Sequence, residues 1–500
     1  MLIALILSAL GLSFAFAPFP LRWFSYLALI PLLLVINKCS YKKVFWYGLL
    51  FGGLFALFHL WWLYFLIVPV EPMTKILLYL GVTVLFVYLG LYTALFSIIT
   101  KYVGIIFAPL AWIILEFVRT KSEIGFPWGF LGYTQTPYIP FIQIASVFGV
   151  YGISAWVMLV NVIVYWILTK KQKMTYLIIL ILVFALPLGY GLLRVKNLSS
   201  SLDVAIVQPN VGPNEKGDYE SRNRLINELL DLIRRASEQK PDLIILPETA
   251  TLSDITRNIP LRDTIQKMLD TNNVFLFTGT PLYSPNSMVY YNGAVFFRPG
   301  QVGFSEIYRK IHLVPFSERI PYADKISLFR KIETGDMGDC TPGTEFTIFE
   351  VQSSKVDVAY APSLLRSKKF NGLICFEAIF PDLTREFTCR GSDLLINVTN
   401  DGWFGKTPGP HQHCEMSVMR SVENGVPLIR CANNGISLIA DAYGRTKNRT
   451  NLFTQTIVFG SVSSSLTPTF YRKYGDILIW FSLGLILIKV FVKLFKRKKS

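Results

Sequence analysis

The chain has 500 residues, 52% of them hydrophobic, and a formal charge of +16. Residues 201–470 hold 28 basic and 29 acidic side chains, whereas the rest of the chain holds 21 basic and only four acidic ones (Glu71, Glu116, Glu123 and Asp476). A nucleic-acid binder would carry its excess on the soluble part, so that class is excluded. Six cysteines with no CxxC spacing likewise exclude a disulfide framework.

Apolar runs come first. A membrane span needs about 20 such residues, and eight stretches reach or approach that length: 2–18, 23–37, 44–68, 76–99, 103–118, 147–168, 174–193 and 475–492. The first has no basic flank or A-x-A-like cleavage site, and further spans follow, so it reads as a retained helix rather than a signal peptide. Basic residues then set the orientation. With the N-terminus inside, Lys38, Lys42, Lys43, Lys101, Lys170, Lys171, Lys173 and the tail Lys493, Lys496, Arg497, Lys498 and Lys499 fall on the cytoplasmic side. The opposite loops carry fewer: Arg22, Lys75, Arg119, Lys121, Arg194 and Lys196. Segment 201–470, between spans seven and eight, is then outside the cytoplasm.

Loop 119–146 holds Phe126, Pro127, Trp128, Phe130, Tyr133 and Tyr138. Aromatics of this kind read as an interfacial anchor or as part of a lipid-entry surface. Glu116 and Arg119, three apart at a helix end, are spaced to pair.

The soluble segment interleaves apolar strands with helical periodicity. Strands are expected at 202–208, 242–246, 274–278, 293–297, 373–376, 394–398, 428–431 and 436–440, and helices at 221–237 and 411–424, with Pro381 opening another. Such alternation implies a layered α/β domain. Three units follow: 1–200 with seven membrane helices, 201–465 as the soluble domain, and 466–500 as a last helix with a basic tail.

Three segments carry chemistry. Glu248 follows a strand in Leu-Pro-Glu-Thr. Lys310 lies in Tyr-Arg-Lys-Ile-His-Leu-Val-Pro-Phe. Cys375 ends a strand in Gly-Leu-Ile-Cys-Phe-Glu. Strand ends are where α/β domains build sites. Singly each is weak, since a cysteine in an apolar strand is ordinarily a core thiol. Jointly they make sense. A carboxylate can take a thiol proton, a thiolate is a nucleophile and leaving group, and a fixed ammonium stabilises a tetrahedral oxyanion. The backbone N–H of Phe376 is a second candidate oxyanion donor. His411, His413 and Cys414 could suggest a metal, but the two histidines stand two apart on a helix start, which disfavours shared ligation.

In this order and with these flanks, together with Asn-Val-Thr-Asn-Asp-Gly-Trp-Phe-Gly at 397–405, the segments resemble the nitrilase superfamily over about residues 202–462. The resemblance implies an αββα sandwich with a Glu–Lys–Cys triad. With Gly-Phe-Pro-Trp at 125–128, His-Leu-Val-Pro-Phe at 312–316 and Gly-Pro-His-Gln-His at 409–413, nearly the whole chain resembles the apolipoprotein N-acyltransferases. That likeness implies transfer of a fatty acyl chain from a phospholipid, typically phosphatidylethanolamine, to the α-amino group of a diacylated N-terminal cysteine of an apolipoprotein. It implies no metal or nucleotide cofactor, and a monomer in the bacterial inner membrane. By motif, Glu318 and Glu377 match further essential glutamates, and Asn292 and Trp403 match site-lining positions, although Trp403 also reads as a core aromatic. The chain departs from the family in having Val426 where Arg is common, Phe376 where Tyr is frequent, and no tryptophan after Val207-Gln208. The competing readings are a membrane-anchored amide or nitrile hydrolase with the same triad, and a silent scaffold. The intact triad opposes the second, and eight spans oppose the first, because one anchor would serve a soluble substrate.

Overall fold

The computed structural model describes residues 1–67, 72–212, 215, 219–285, 287–325, 340–353, 367–463 and 465–498. The end of the stretch at 44–68 and the tail residue Lys499 lie outside the described residues.

The N-terminal part is helical: α1 (Leu2–Ser13), α2 (Ile30–Lys38), α3 (Tyr41–Leu60), α4 (Pro72–Val103), α5 (Ala108–Val118), a short α6 (Ile139–Ile142), α7 (Ala145–Thr169) and α8 (Lys173–Arg194). A last helix covers Ile477–Lys498. Each of the eight apolar stretches thus carries a helix. Among the described residues, five helices are long and apolar enough to cross a bilayer: Tyr41–Phe65, Lys75–Val103, Ala145–Thr169, Lys173–Arg194 and Ile477–Lys496. The stretches at 2–18, 23–37 and 103–118 hold shorter helices. Proline is one reason: Pro31 and Pro109 sit in the first turns of α2 and α5 and fix where those helices begin. A separate 3-10 turn, Arg22–Tyr26, takes up the start of the second stretch. α8 is apolar on every side and leaves Leu186 and Leu193 70% and 82% exposed, as lipid-facing side chains would be.

Among the described residues, the second part is two six-stranded sheets. The first runs β12-β1-β2-β3-β4-β5 and the second β11-β10-β9-β8-β7-β6. The strands are β1 (Ser200–Gln208), β2 (Leu243–Ile245), β3 (Phe275–Ser284), β4 (Val289–Phe297), β5 (Ile307–Arg309), β6 (Phe349–Gln352), β7 (Ser367–Ile374), β8 (Leu394–Thr399), β9 (Leu428–Ala432), β10 (Leu438–Ala440), β11 (Thr446–Lys447) and β12 (Thr456–Ser463). At each sheet's centre three strands are parallel, β1-β2-β3 and β7-β8-β9.

The two-residue period of a strand explains the layering. Val204, Ile206, Leu243 and Ile245 point between the sheets, where Phe277, Phe296, Phe349 and Phe370 interlock. Their alternates Ala205, Val207, Ile244 and Leu246 pack outward on the helices Tyr219–Ser237 and Ile259–Asn272. On the other sheet Leu395, Leu428 and Leu438 point outward to Cys414 and Val418 of the helix Pro408–Asn424. The result is a helix–sheet–sheet–helix sandwich. Gly372 permits the close approach of the sheets, since a Cβ there would lie 2.6 Å from the Phe277 ring.

Candidate active site

β2 is fully buried and delivers Pro247 and Glu248 at its C-terminal end. The neighbouring β3 crosses so closely that a Cβ on Gly279 would sit 2.6 Å from the Glu248 Cα. β4 supplies Asn292, and Lys310 follows β5, its backbone N–H bonded to the Asn292 carbonyl at 2.8 Å. β7, in the facing sheet, ends at Ile374 and places Cys375 at the turn. Strand ends from both sheets therefore converge.

Lys310 is 1% exposed and lies between two carboxylates, Nζ to Glu318 Oε1 at 2.9 Å and to Glu248 Oε1 at 3.4 Å. Asn292 Nδ2 donates to both, at 2.7 Å each. The remaining oxygens are held by main chain: Asn400 N–H donates to Glu248 Oε2 at 3.0 Å and Val314 N–H to Glu318 Oε2 at 2.8 Å. Burial alone would push the Lys310 pKa down, but Glu318 and Glu248, then Cys375, outweigh it and hold the ammonium charged. The Cys375 thiol moves up, first by burial and then by the Glu248 charge, against the opposing pull of Lys310. The thiol is therefore protonated at neutral pH, so a nearby base is needed to take its proton.

Cys375 has φ +50°, the left-handed region that a β-carbon disfavours. Its carbonyl oxygen accepts from His413 Nε2 at 3.1 Å and from Asn397 Nδ2 at 3.4 Å. His413 Nδ1 lies 2.9 Å from Asp401 Oδ1. Asp401 Oδ2 takes Arg430 Nη2 at 2.7 Å, and Arg430 also donates to Asn397. Burial would raise the Asp401 carboxyl pKa, but Arg430 and His413 carry it well below the usual range. Spacing in the sequence does not reveal this cluster, although an arginine inside the buried run Leu-Ile-Arg-Cys-Ala is its signal. Among the described residues, Cys375, Asp401 and His413 bring ligand atoms within 4.8 Å of one another. The Arg430 guanidinium on Asp401 opposes a metal cation there. His411 and Cys414 stand apart: His411 contacts Arg449, and Cys414 belongs to the outer core.

Glu377 is fully buried and serves as a clamp. Its carboxylate accepts from Ile374 N–H at 2.7 Å, Ile311 N–H at 2.7 Å and the Tyr308 hydroxyl at 2.7 Å, tying the Cys375 turn to the Lys310 loop. Burial pushes its pKa up to about 7 despite these donors. Phe376 is buried and packs on Phe380 and on Phe126 of loop 119–146. Trp403 is half-buried outside the hydrophobic core, and its carbonyl accepts from Ile67 N–H at 2.8 Å. Val426 is buried in the apolar cluster with Leu395 and Val418.

The structure corrects two expectations. Of the loop aromatics expected at an interface, Trp128, Phe130 and Tyr133 are buried, with Trp128 Nε1 donating to Gln412 of the helix Pro408–Asn424 at 2.7 Å, whereas Tyr138 is 39% exposed. Aromatic composition suits a belt and a domain joint equally, which is why the sequence misleads. Glu116 and Arg119 make no direct ion pair. Glu116 accepts from Leu131 N–H at 2.8 Å, and Arg119 donates to the Trp128 carbonyl at 2.6 Å. Both hold the aromatic loop.

Residues 8–163 match the model of the apolipoprotein N-acyltransferase N-terminal domain, and residues 203–471 match that of the carbon-nitrogen hydrolases. An apolipoprotein N-acyltransferase of Geobacter metallireducens is 31% identical over 484 residues, 92% of this chain and 88% of that one. The chain belongs to the apolipoprotein N-acyltransferase family. A Haemophilus ducreyi relative of the same name is 30% identical, covering 99% of this chain and 96% of its own. Among solved structures, Saccharomyces cerevisiae Nit3 of the nitrilase superfamily is 16% identical with a TM-score of 0.39, covering 58% of this chain and 96% of that one. The chain is thus a membrane-embedded acyltransferase built on a nitrilase-type domain.

Proposed function

We propose that the protein moves a fatty acyl chain from a phospholipid, through a thioester on Cys375, to the α-amino group of a diacylated N-terminal cysteine of an apolipoprotein. The observation that carries this is the buried Lys310 held between Glu248 and Glu318, with the Cys375 thiol within their field. In this reading Glu248 takes the thiol proton as sulfur attacks the ester carbonyl. Negative charge forms on the carbonyl oxygen beside the Lys310 ammonium, with Phe376 N–H as a second donor. Collapse breaks the ester C–O bond, Glu248 returns the proton to the glycerol oxygen, and lysophospholipid leaves. The lipoprotein amine then attacks the thioester and gives its proton to Glu248. The thiolate is expelled and reprotonated, and an amide remains. An amide is more stable than the starting ester, so no nucleotide is consumed. Asn292 orients both carboxylates, Glu318 fixes Lys310, Glu377 ties the two site loops, and Trp403 borders the entrance.

The donor is phosphatidylethanolamine, the protein acts as a monomer without nucleic acid, and eight crossings place residues 201–465 on the periplasmic side of the inner membrane. The basic residues at 38–43, 170–173 and 493–499 support that orientation. The hydrolase alternative gives no role to a helical part that itself matches an acyltransferase domain.

Incubation of purified protein with labelled phospholipid alone, followed by peptide mass spectrometry, tests the reading. An acyl adduct on Cys375, released by hydroxylamine and discharged by a diacylated lipopeptide, is expected. Full-rate transfer with no adduct, or activity in Cys375→Ala, would overturn it.

A further inference from the structure

The Gly-Pro-His-Gln-His motif at 409–413 has no part in the triad chemistry, yet it begins the helix that touches both halves of the molecule. One side of this helix reaches the nucleophile: His413, 1% exposed, holds the Cys375 carbonyl oxygen through Nε2 at 3.1 Å. The other side is fastened to the membrane part. Gln412 Oε1 accepts from Trp128 Nε1 at 2.7 Å and from Trp62 Nε1 at 3.3 Å. Glu415 takes the Arg22 guanidinium in a two-point pair at 2.6 and 3.0 Å. The Trp128 ring also lies against the His413 ring, centroids 5.7 Å apart.

We infer that His413 is a positioning residue for Cys375, and that the helix Pro408–Asn424 is the strut through which the membrane bundle holds the nucleophile in place. The inference rests on Cys375 being the acyl-bearing thiol. Cys375 needs such a hold because its left-handed backbone is costly for a residue with a β-carbon and survives only when its surroundings over-determine it. His413 is well mounted for the task. Its Nδ1 lies 2.9 Å from Asp401 Oδ1 and 3.1 Å from Arg430 Nη2. A neutral ring accepts there from Arg430, and a charged ring donates to Asp401. Nε2 keeps its proton for the Cys375 carbonyl in both states.

The test compares His413→Gln with His413→Asn in the full-length protein in detergent. The glutamine amide reaches about as far as Nε2 and can still donate to the Cys375 carbonyl, whereas the shorter asparagine amide stays beside Asp401. Two quantities are read: kcat and KM for acyl transfer, and the iodoacetamide alkylation rate of the Cys375 peptide, with exposed Cys389 as internal reference. His413→Asn should slow Cys375 alkylation and lower kcat by about 10–100-fold, the scale of a misplaced reacting group. KM and Cys389 alkylation should not move, and His413→Gln should recover most of the loss. Arg22→Met, remote from Cys375, should slow Cys375 alkylation in the same sense by a smaller factor. Equal behaviour of the two His413 variants, or unchanged Cys375 alkylation in a His413→Asn protein of normal melting temperature, overturns the positioning role. Unchanged or faster alkylation in Arg22→Met, measured well below that variant's own melting temperature, overturns the strut. Absence of an acyl adduct on wild-type Cys375 would instead remove the reading beneath both.

Discussion

Lys310 pairs more closely with Glu318, at 2.9 Å, than with Glu248, at 3.4 Å. The nearer carboxylate neutralises the ammonium, and in the proposed reaction the farther one handles protons. Glu318→Gln removes that neutralising charge while keeping shape and one acceptor. Turnover should fall by about 100-fold or more, the cost of losing a partner in an electrostatic site, with little change in melting temperature. Steady-state kinetics beside a thermal melt checks this, and turnover near wild type would show that Glu318 only fills space.

Glu248 should act on the thiol in two opposed ways. Its charge helps to hold the Cys375 pKa up, yet in the proposed reaction it removes the proton. Glu248→Gln should therefore lower acyl transfer by about 10²–10⁴-fold, the range for a lost general base. Iodoacetamide, which needs only thiolate, should label Cys375 faster at neutral pH in this variant than in the wild type. Slower labelling would mean that Glu248 does not act on the thiol through its charge.

Glu377 predicts a pH effect on stability. Its pKa in the folded protein, about 7, lies above the ordinary value of 4.5. Between those values the folded state binds more protons than the unfolded one, so stability is greatest below pH 4.5 and falls as pH rises toward 7. The change from this group is on the order of 3 kcal/mol. Melting temperatures across that window should show the decline, and Glu377→Gln should flatten it. Its absolute stability should drop, because Ile374 N–H loses an acceptor.

The Arg22–Glu415 pair has side chains only 7% and 16% exposed. Arg22→Met or Glu415→Met alone strands a buried charge and should destabilise by about 3–5 kcal/mol. The double variant should recover a good part of that loss, because an apolar contact replaces the pair. A double-mutant cycle by thermal unfolding measures this. Simple additivity would mean that the two side chains do not interact.

Orientation is open to a reporter that fluoresces only in the cytoplasm. Inserted at the exposed turn around Gly300, between β4 and β5, it should stay dark, and fused after the basic tail it should be bright. Fluorescence at Gly300 would invert the topology.

Glu248 and Cys375 stand out in the sequence because each ends or follows a short apolar strand, whereas Lys310 is marked only by its flanking motif. Most central strands were legible too, their apolar runs being buried on both faces. The edge strands β5, β6 and β11, two to four residues long, were not, because such short runs carry no usable period. The longer β12 was missed too, its apolar run being interrupted by Gly460. Span lengths were overread at 23–37, where apolar composition continues through a 3-10 turn and a nine-residue helix. Asp401, His413 and Arg430 looked unrelated because they come from the end of β8, a helix and β9. Only the fold makes them neighbours, and only the unlikely burial of an arginine in a strand hinted that a partner existed.

The pairing of β1 with β12 bears on how the protein is made. Ser200 lies opposite Ser463, so the first strand after α8 waits for the last strand before the C-terminal helix. At synthesis rates of about 5–20 residues per second, roughly 10–50 s separate the emergence of the two strands. During that interval β1 has an open edge, the kind of edge that recruits wrong partners. The sheet closes only when nearly the whole chain has been made. A ribosome that stops short of residue 456 leaves a membrane-inserted bundle carrying an unfinished sheet, a natural substrate for quality-control proteases.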